Sequence, residues 1–254
     1  MSITGIASAR HKLARADHHI SDLEQQIRAF TEANRIGVQA LSQPSRTHPG
    51  ELDCEMIVQT EPPEVPDGWS LVAGDALTCL RAALDHSVFP HARQFPTLTS
   101  DVDKNGKPVK IGTILSPEVT VLVRQHQPYV AEPHTPHHHP IGALSNLVNM
   151  DKHRQLLVTN NFTAQVMIRP SDDYEITSEV PQRGDALARG DVLTRFRVKP
   201  IGLDARLEYV NFLVAEPAID LPNTDDYRPL IKLLWDMHAA VGGIIDQLAE
   251  AGVP

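Results

Sequence analysis

The residues best suited to chemistry fall on two short stretches, GDALTCLRAALDHSVF and NMDKHR. The first has helical periodicity, with Leu77, Leu80, Leu84 and Val88 forming one apolar stripe. At 100° per residue, Arg81 and Asp85 lie about 40° apart on one flank of that stripe. Asp75, Cys79 and His86 cluster on the other flank. Arg81 and His86 are about 140° apart, so both can border a groove without facing each other. An arginine fork matches phosphate oxygens, and histidine moves protons near neutral pH. The plainer reading of the same residues is an Arg81–Asp85 helix pair, worth about 0.2–0.5 kcal/mol, with His86 satisfied by a carbonyl. In the second stretch, Asp151, Lys152, His153 and Arg154 follow a helix end. Lys, His and Arg suit the negative end of a helix dipole, so capping accounts for three of the four. Asp151 is the poor fit there. If it orients His153 by a hydrogen bond, a base and its orienter result.

A third group, His134, His137, His138 and His139, sits on a proline-flanked loop. A zinc site needs three or four ligands at about 2.0–2.1 Å, and neighbouring loop histidines point in different directions. No metal and no cofactor are expected from this pattern. His19, beside the apolar stripe of the first helix, could reach the cleft, though a core-edge histidine is the simpler reading.

LRAALDH followed by NMDKHR, with QPY between them and a long N-terminal helix of pattern KLxRAxxHI, resembles a widespread bacterial family of uncharacterised proteins. That resemblance covers the chain to about residue 160 and brings no activity with it. Arg81-x4-His86 on a helix is also similar to the Arg-x4-6-His motif of HEPN (higher eukaryotes and prokaryotes nucleotide-binding) domains. Many of those are metal-independent ribonucleases, active as dimers with the motif in the subunit cleft. The resemblance implies that Arg81 stabilises a phosphate and His86 serves as acid or base on a ribose 2′-OH. Asp85 and His153 complete the expected catalytic set, with Asp151, Lys152 and Arg154 binding substrate. The residue after the motif arginine is Ala82, where HEPN motifs often carry a polar side chain, and a β meander is foreign to a plain HEPN bundle. The expectation is an RNA-directed or phosphate-handling protein of HEPN-like character, with a homodimer as the oligomer implied. Two other readings stay open. One is a metal-dependent hydrolase using His86, His153, Asp75 and Asp151. The other is a non-catalytic binding or scaffolding protein whose polar helix residues form an internal network.

The elements that must position these residues are legible from periodicity. Leu13, Ala16, Ile20, Leu23, Ile27 and Phe30 mark a long helix over residues 8–33, facing another helix or a second subunit. Residues 42–50 read as a loop, and ELDCEMIVQT alternates as a half-buried strand. Helices are expected at 71–91, 116–127, with Ser116 as N-cap and Pro117 at its first position, and 141–154. Residues 96–112 read as an exposed loop or hairpin tip. Residues 155–216 are rich in β-formers and read as an antiparallel meander of about four strands. Leu230, Leu234, Met237, Val241, Ile244 and Leu248 give a C-terminal helix capped by Thr224 or Asp225. The expected fold is one α+β domain over residues 1–254: a helical bundle of about five helices (1–154 and 226–252) packed with the meander.

Bulk composition narrows the function further. The chain has 254 residues, 41% of them apolar, enough for a sizeable core. A net charge of −9 gives no global attraction to nucleic acid, so any such contact needs a local basic patch. Cys54 and Cys79 are too few for a disulfide framework. Without an apolar leader or an apolar run of about 18 residues, a cytoplasmic protein without membrane contact is expected. No Walker or dinucleotide glycine fingerprint is present in the sequence.

Overall fold

A computed structural model describes residues 5–61, 63–89, 92–103, 105–109, 111, 116–152, 158–159, 165–169, 174–181, 188–201, 210–214 and 217–254. The fold is α+β. Its helices are α1 (Gly5–Ala33), α2 (Gly68–Val88), α3 (Pro117–Gln125), α4 (Pro128–Ala131), α5 (Pro140–Asp151) and α6 (Leu230–Glu250). Its strands are β1 (Val38–Pro44), β2 (Leu52–Val58), β3 (Val158–Thr159), β4 (Gln165–Arg169), β5 (Tyr174–Pro181), β6 (Val192–Pro200), β7 (Val210–Val214), β8 (Ala218–Asp220) and β9 (Tyr227–Pro229). The chain divides into two compact units: Met1–Gln26, Pro66–Val158 and Ile219–Pro254 form the first, and Ile27–Val65 and Thr159–Ala218 form the second. Among the described residues, no helix is long and apolar enough to cross a membrane.

The first unit is helical because its apolar residues recur at helical spacing and bury together. Ala16, Ile20 and Leu23 of α1 are fully buried, as are Leu77, Leu80, Leu84 and Val88 of α2. Leu144 and Leu147 of α5 and Met237, Val241 and Leu248 of α6 complete the core. Burying each of the larger side chains among these contributes about 1.5–3 kcal/mol. Ser116 caps α3 as its sequence implies, accepting from the Val119 amide at 3.3 Å with proline at the first turn. Helix α5 stops at Asp151 with Lys152 as its C-cap, three residues short of the expected end.

Thr224 does not cap α6. Its hydroxyl donates to the Leu221 carbonyl at 2.9 Å and accepts from the Asp226 amide at 3.2 Å, closing the turn between β8 and β9. Helix α6 starts at Leu230, directly after Pro229 and the short strand β9. The expected hairpin tip is present: Val102 bridges Pro108, and the Asp103 carboxylate accepts from the amides of Asn105 and Lys107 at 2.8 and 2.9 Å.

The second unit is built on a four-stranded antiparallel sheet ordered β1-β2-β6-β5. Period-two alternation sorts its faces. Cys54, Met56 and Val58 of β2 bury with Leu193, Phe196 and Val198 of β6 and Tyr174 of β5. On the other face Arg195 pairs Glu55 at 2.8 Å, and Arg197 pairs Asp53 at 2.9 Å. Strand β1 occupies part of the segment expected to be a loop. It is an edge strand whose last four residues are exposed, so its polar sequence hid it. The sheet order also departs from a simple meander within 155–216, since β6 joins β2 and β5, whereas β4 pairs with β7.

Candidate functional site

Helix α2 separates its polar residues onto two flanks, and each flank has its own surroundings. On the first, Arg81 donates to the Phe95 carbonyl at 2.8 Å and to the Thr97 hydroxyl, and it pairs with Asp85 at 2.9 Å. Asp85 in turn accepts from the Phe95 amide at 2.8 Å. Gln127, fully buried, accepts from the Leu98 amide at 2.9 Å and donates to the Val123 carbonyl at 2.8 Å. Residues 95–98 form no helix or strand, so their backbone polar groups must be met by side chains. Arg81, Asp85 and Gln127 meet them. The guanidinium therefore faces its own chain, with only 17% of the Arg81 side chain exposed.

On the second flank, His86 Nδ1 lies 2.7 Å from Ser8 Oγ of α1. Lys12 and Arg15 follow Ser8 by one and two helical turns on the same face of α1. Both cations act on Cys79, which lies two turns before His86 on α2. The helices thus run antiparallel here, and their polar margins form one seam. Burial pushes the Cys79 thiol up; Lys12 and Arg15 draw it down, and Asp75 raises it. A half-buried thiol held in its neutral form in this way is a poor nucleophile.

At the far end of the seam the Asp151 carboxylate lies over Gly74. A Cβ at Gly74 would stand 2.9 Å from each carboxylate oxygen, so this approach requires glycine. Desolvation first, then the neighbouring Asp75 charge, raises the Asp151 pKa above 3.8. A carboxylate with a raised folded-state pKa weakens the fold when ionised, and the penalty fades as pH falls through that raised value toward 3.8. Asp151→Asn is accordingly expected to melt about 1–2 °C higher near neutral pH, the response to a few tenths of a kcal/mol in a chain of this size. The difference should shrink on acidification toward about pH 4. Melting curves across that range that show a constant offset, or a loss for the asparagine variant, would contradict the assignment.

No family model matches the chain, and no curated protein or solved structure matches it. The site must therefore be read from its own geometry.

The structure brings Asp151 to the His86 flank of α2 but to its opposite end. From Asp75 to His86 is eleven residues of helix, about 17 Å of rise. Ligands of one zinc ion sit about 2.0–2.1 Å from it, so Asp75 and His86 do not share a metal. Among the described residues, no group of three or more His, Cys, Asp or Glu side chains could hold a metal ion. Lys152 is exposed at the end of α5. His153 and Arg154 lie outside the described residues. His19 is half-buried on the same face of α1 as Ser8.

Three of the four loop histidines have separate occupations. His137 meets Asn146 at 3.0 Å, His138 meets Arg228 at 3.1 Å, and His139 accepts from the Ile141 amide at 3.3 Å to cap α5. Burial holds the His139 pKa below its ordinary value, which keeps its ring nitrogen free to accept. The residues that sequence reading did not assign to the site are Ser8, Lys12 and Arg15. The signal was their shared face at positions 8, 12 and 15. What the sequence lacked was any statement of which helix that face would meet.

Proposed function

We propose that this chain binds and processes a phosphate-bearing ligand, RNA included, without a metal, in the seam between α1 and α2. His86 moves the proton, and Lys12 and Arg15 hold the phosphate. The observation that carries this reading is the 2.7 Å contact between Ser8 and His86 on the α1 face that also bears Lys12 and Arg15. These cations are a local basic feature in a chain of charge −9, which is what an anion needs to approach an acidic protein. Asp75 and Asp151 give the other end of the seam the opposite sign, which favours an anion at the Ser8 end. The reading keeps the HEPN-like proton-transfer role for His86 and assigns the phosphate contacts to α1 in place of Arg81.

Metal-free protein should bind single-stranded RNA and inorganic phosphate, measured by titration at low salt. Lys12→Ala/Arg15→Ala is expected to weaken either interaction by about tenfold or more, the loss of charge-assisted hydrogen bonds. His86→Ala should abolish RNA cleavage with binding retained. Absence of binding to both ligands, or binding untouched by the double substitution, would remove the proposal.

A second reading is favoured by the Arg81, Asp85 and Gln127 bonds to residues 95–98: a non-catalytic binding protein in which the polar residues of α2 serve the fold. It expects His86→Ala to lower the melting temperature with no activity lost.

A further inference from the structure

We infer that Ser8 is a nucleophile toward phosphoryl esters, with His86 as its base; this rests on the phosphate-handling reading above. A serine hydroxyl is a weak nucleophile unless a base stands within about 2.6–3.2 Å of it. Ser8 Oγ and His86 Nδ1 meet that distance at 2.7 Å, although the two residues are 78 positions apart in the chain. With its ring hydrogen on Nε2, the imidazole offers Nδ1 to accept the hydroxyl proton. Both side chains are only partly buried, so a ligand in the seam can reach Oγ. Lys12 lies one helical turn beyond Ser8, where its ammonium can stabilise charge on the oxygens of an attacked phosphorus. Arg15 extends that positive edge by a second turn and offers a planar fork to two of those oxygens.

The chemistry balances without a metal. The Ser8 Oγ–P bond forms as the bond from phosphorus to the leaving oxygen breaks. His86 takes the serine proton and delivers it to that leaving oxygen. Water then attacks the phosphoserine, His86 takes a proton from it and returns one to Ser8, and inorganic phosphate departs. The substrate class is a phosphate monoester, such as one at the end of a chain, because only a monoester leaves a phosphoserine that water converts to inorganic phosphate.

An alkyl fluorophosphonate tests the nucleophile directly, because Oγ attack on its phosphorus expels fluoride and leaves a stable adduct. Peptide mass spectrometry should locate the adduct on Ser8. Ser8→Ala should carry none, and His86→Gln should label about 100-fold more slowly, the lower end of the contribution of a positioned base. Melting curves of both variants establish that they are folded. An unlabelled Ser8 in the folded protein, or a labelling rate unchanged in His86→Gln, overturns the inference. A parallel titration with inorganic phosphate separates the two proposals. Phosphate binding without labelling overturns the nucleophile alone. Labelling without phosphate binding overturns the assignment of phosphoryl esters as substrate, and the reading on which it rests falls with it when RNA binding is absent as well.

Discussion

Arg81→Ala is expected to cost about 2–4 kcal/mol of stability. The guanidinium holds the Phe95 carbonyl, the Thr97 hydroxyl and the Asp85 carboxylate together. Its removal deletes charge-assisted bonds and leaves Asp85, 22% exposed, without its counter-ion. It also frees residues 95–98 at the point where Phe95 is fully buried. In a chain of this size the loss corresponds to a melting temperature about 5–15 °C lower, readable by circular dichroism or calorimetry. Lysine should restore only part of it, because a single ammonium cannot reproduce a fork that reaches three acceptors in different directions. Asp85→Asn should cost less in the Arg81→Ala background than alone, since both act on the Phe95 backbone. An Arg81→Ala protein with an unchanged melting temperature would show that the guanidinium is not a brace and would return it to ligand binding.

The same residues show how far the sequence could be read. Helical periodicity sorted α2 correctly into two flanks, Arg81 with Asp85 and Asp75 with Cys79 and His86, because side-chain direction on a helix follows from residue number alone. The core stripes of α1, α2, α5 and α6 were legible for the same reason. What each flank touches is tertiary information. Residues 95–98 carry no pattern that announces a buried segment tied to Arg81, and Ser8 lies 78 positions from His86. The strands that escaped notice are short or polar: β1 is an exposed edge, and β9 has three residues. In both cases the hydrogen-bond ladder is supplied by a neighbour that the local sequence does not name. The long β-rich stretch after residue 155 did signal strands, but one side of β6 pairs with β2, about 140 residues earlier in the chain by the Asp53–Arg197 contact.

Gly142→Ala should be the more damaging of two apparently equivalent helix substitutions, the other being Gly243→Ala. In an open helix interior, alanine is favoured over glycine by about 0.5–1 kcal/mol. Nothing lies within 4 Å of a Cβ built on Gly243 of α6, so that variant should be neutral or gain up to that amount. At Gly142, in the first turn of α5, the added Cβ would stand 2.2 Å from the Pro136 carbonyl oxygen and 3.4 Å from Pro128 Cβ. The obstacle is backbone and cannot rotate away as a side chain would. Its surroundings are also fixed: the His138 amide bonds the Thr135 carbonyl at 2.9 Å, and the His138 ring is held by Arg228. The overlap must be relieved by moving the whole 132–139 turn or by displacing the start of α5, and overpacking of this kind costs about 1–3 kcal/mol or more. Gly142→Ala is therefore expected to melt at least about 2–4 °C below Gly243→Ala. The comparison also bears on the histidine loop. If His137, His138 and His139 serve to seat that turn on α5, the Gly142 variant should loosen it, which hydrogen exchange at the His138 and Ala143 amides would register as lost protection. Equal melting temperatures for the two variants would mean that the turn yields freely, and the histidines would then need another reason for their place.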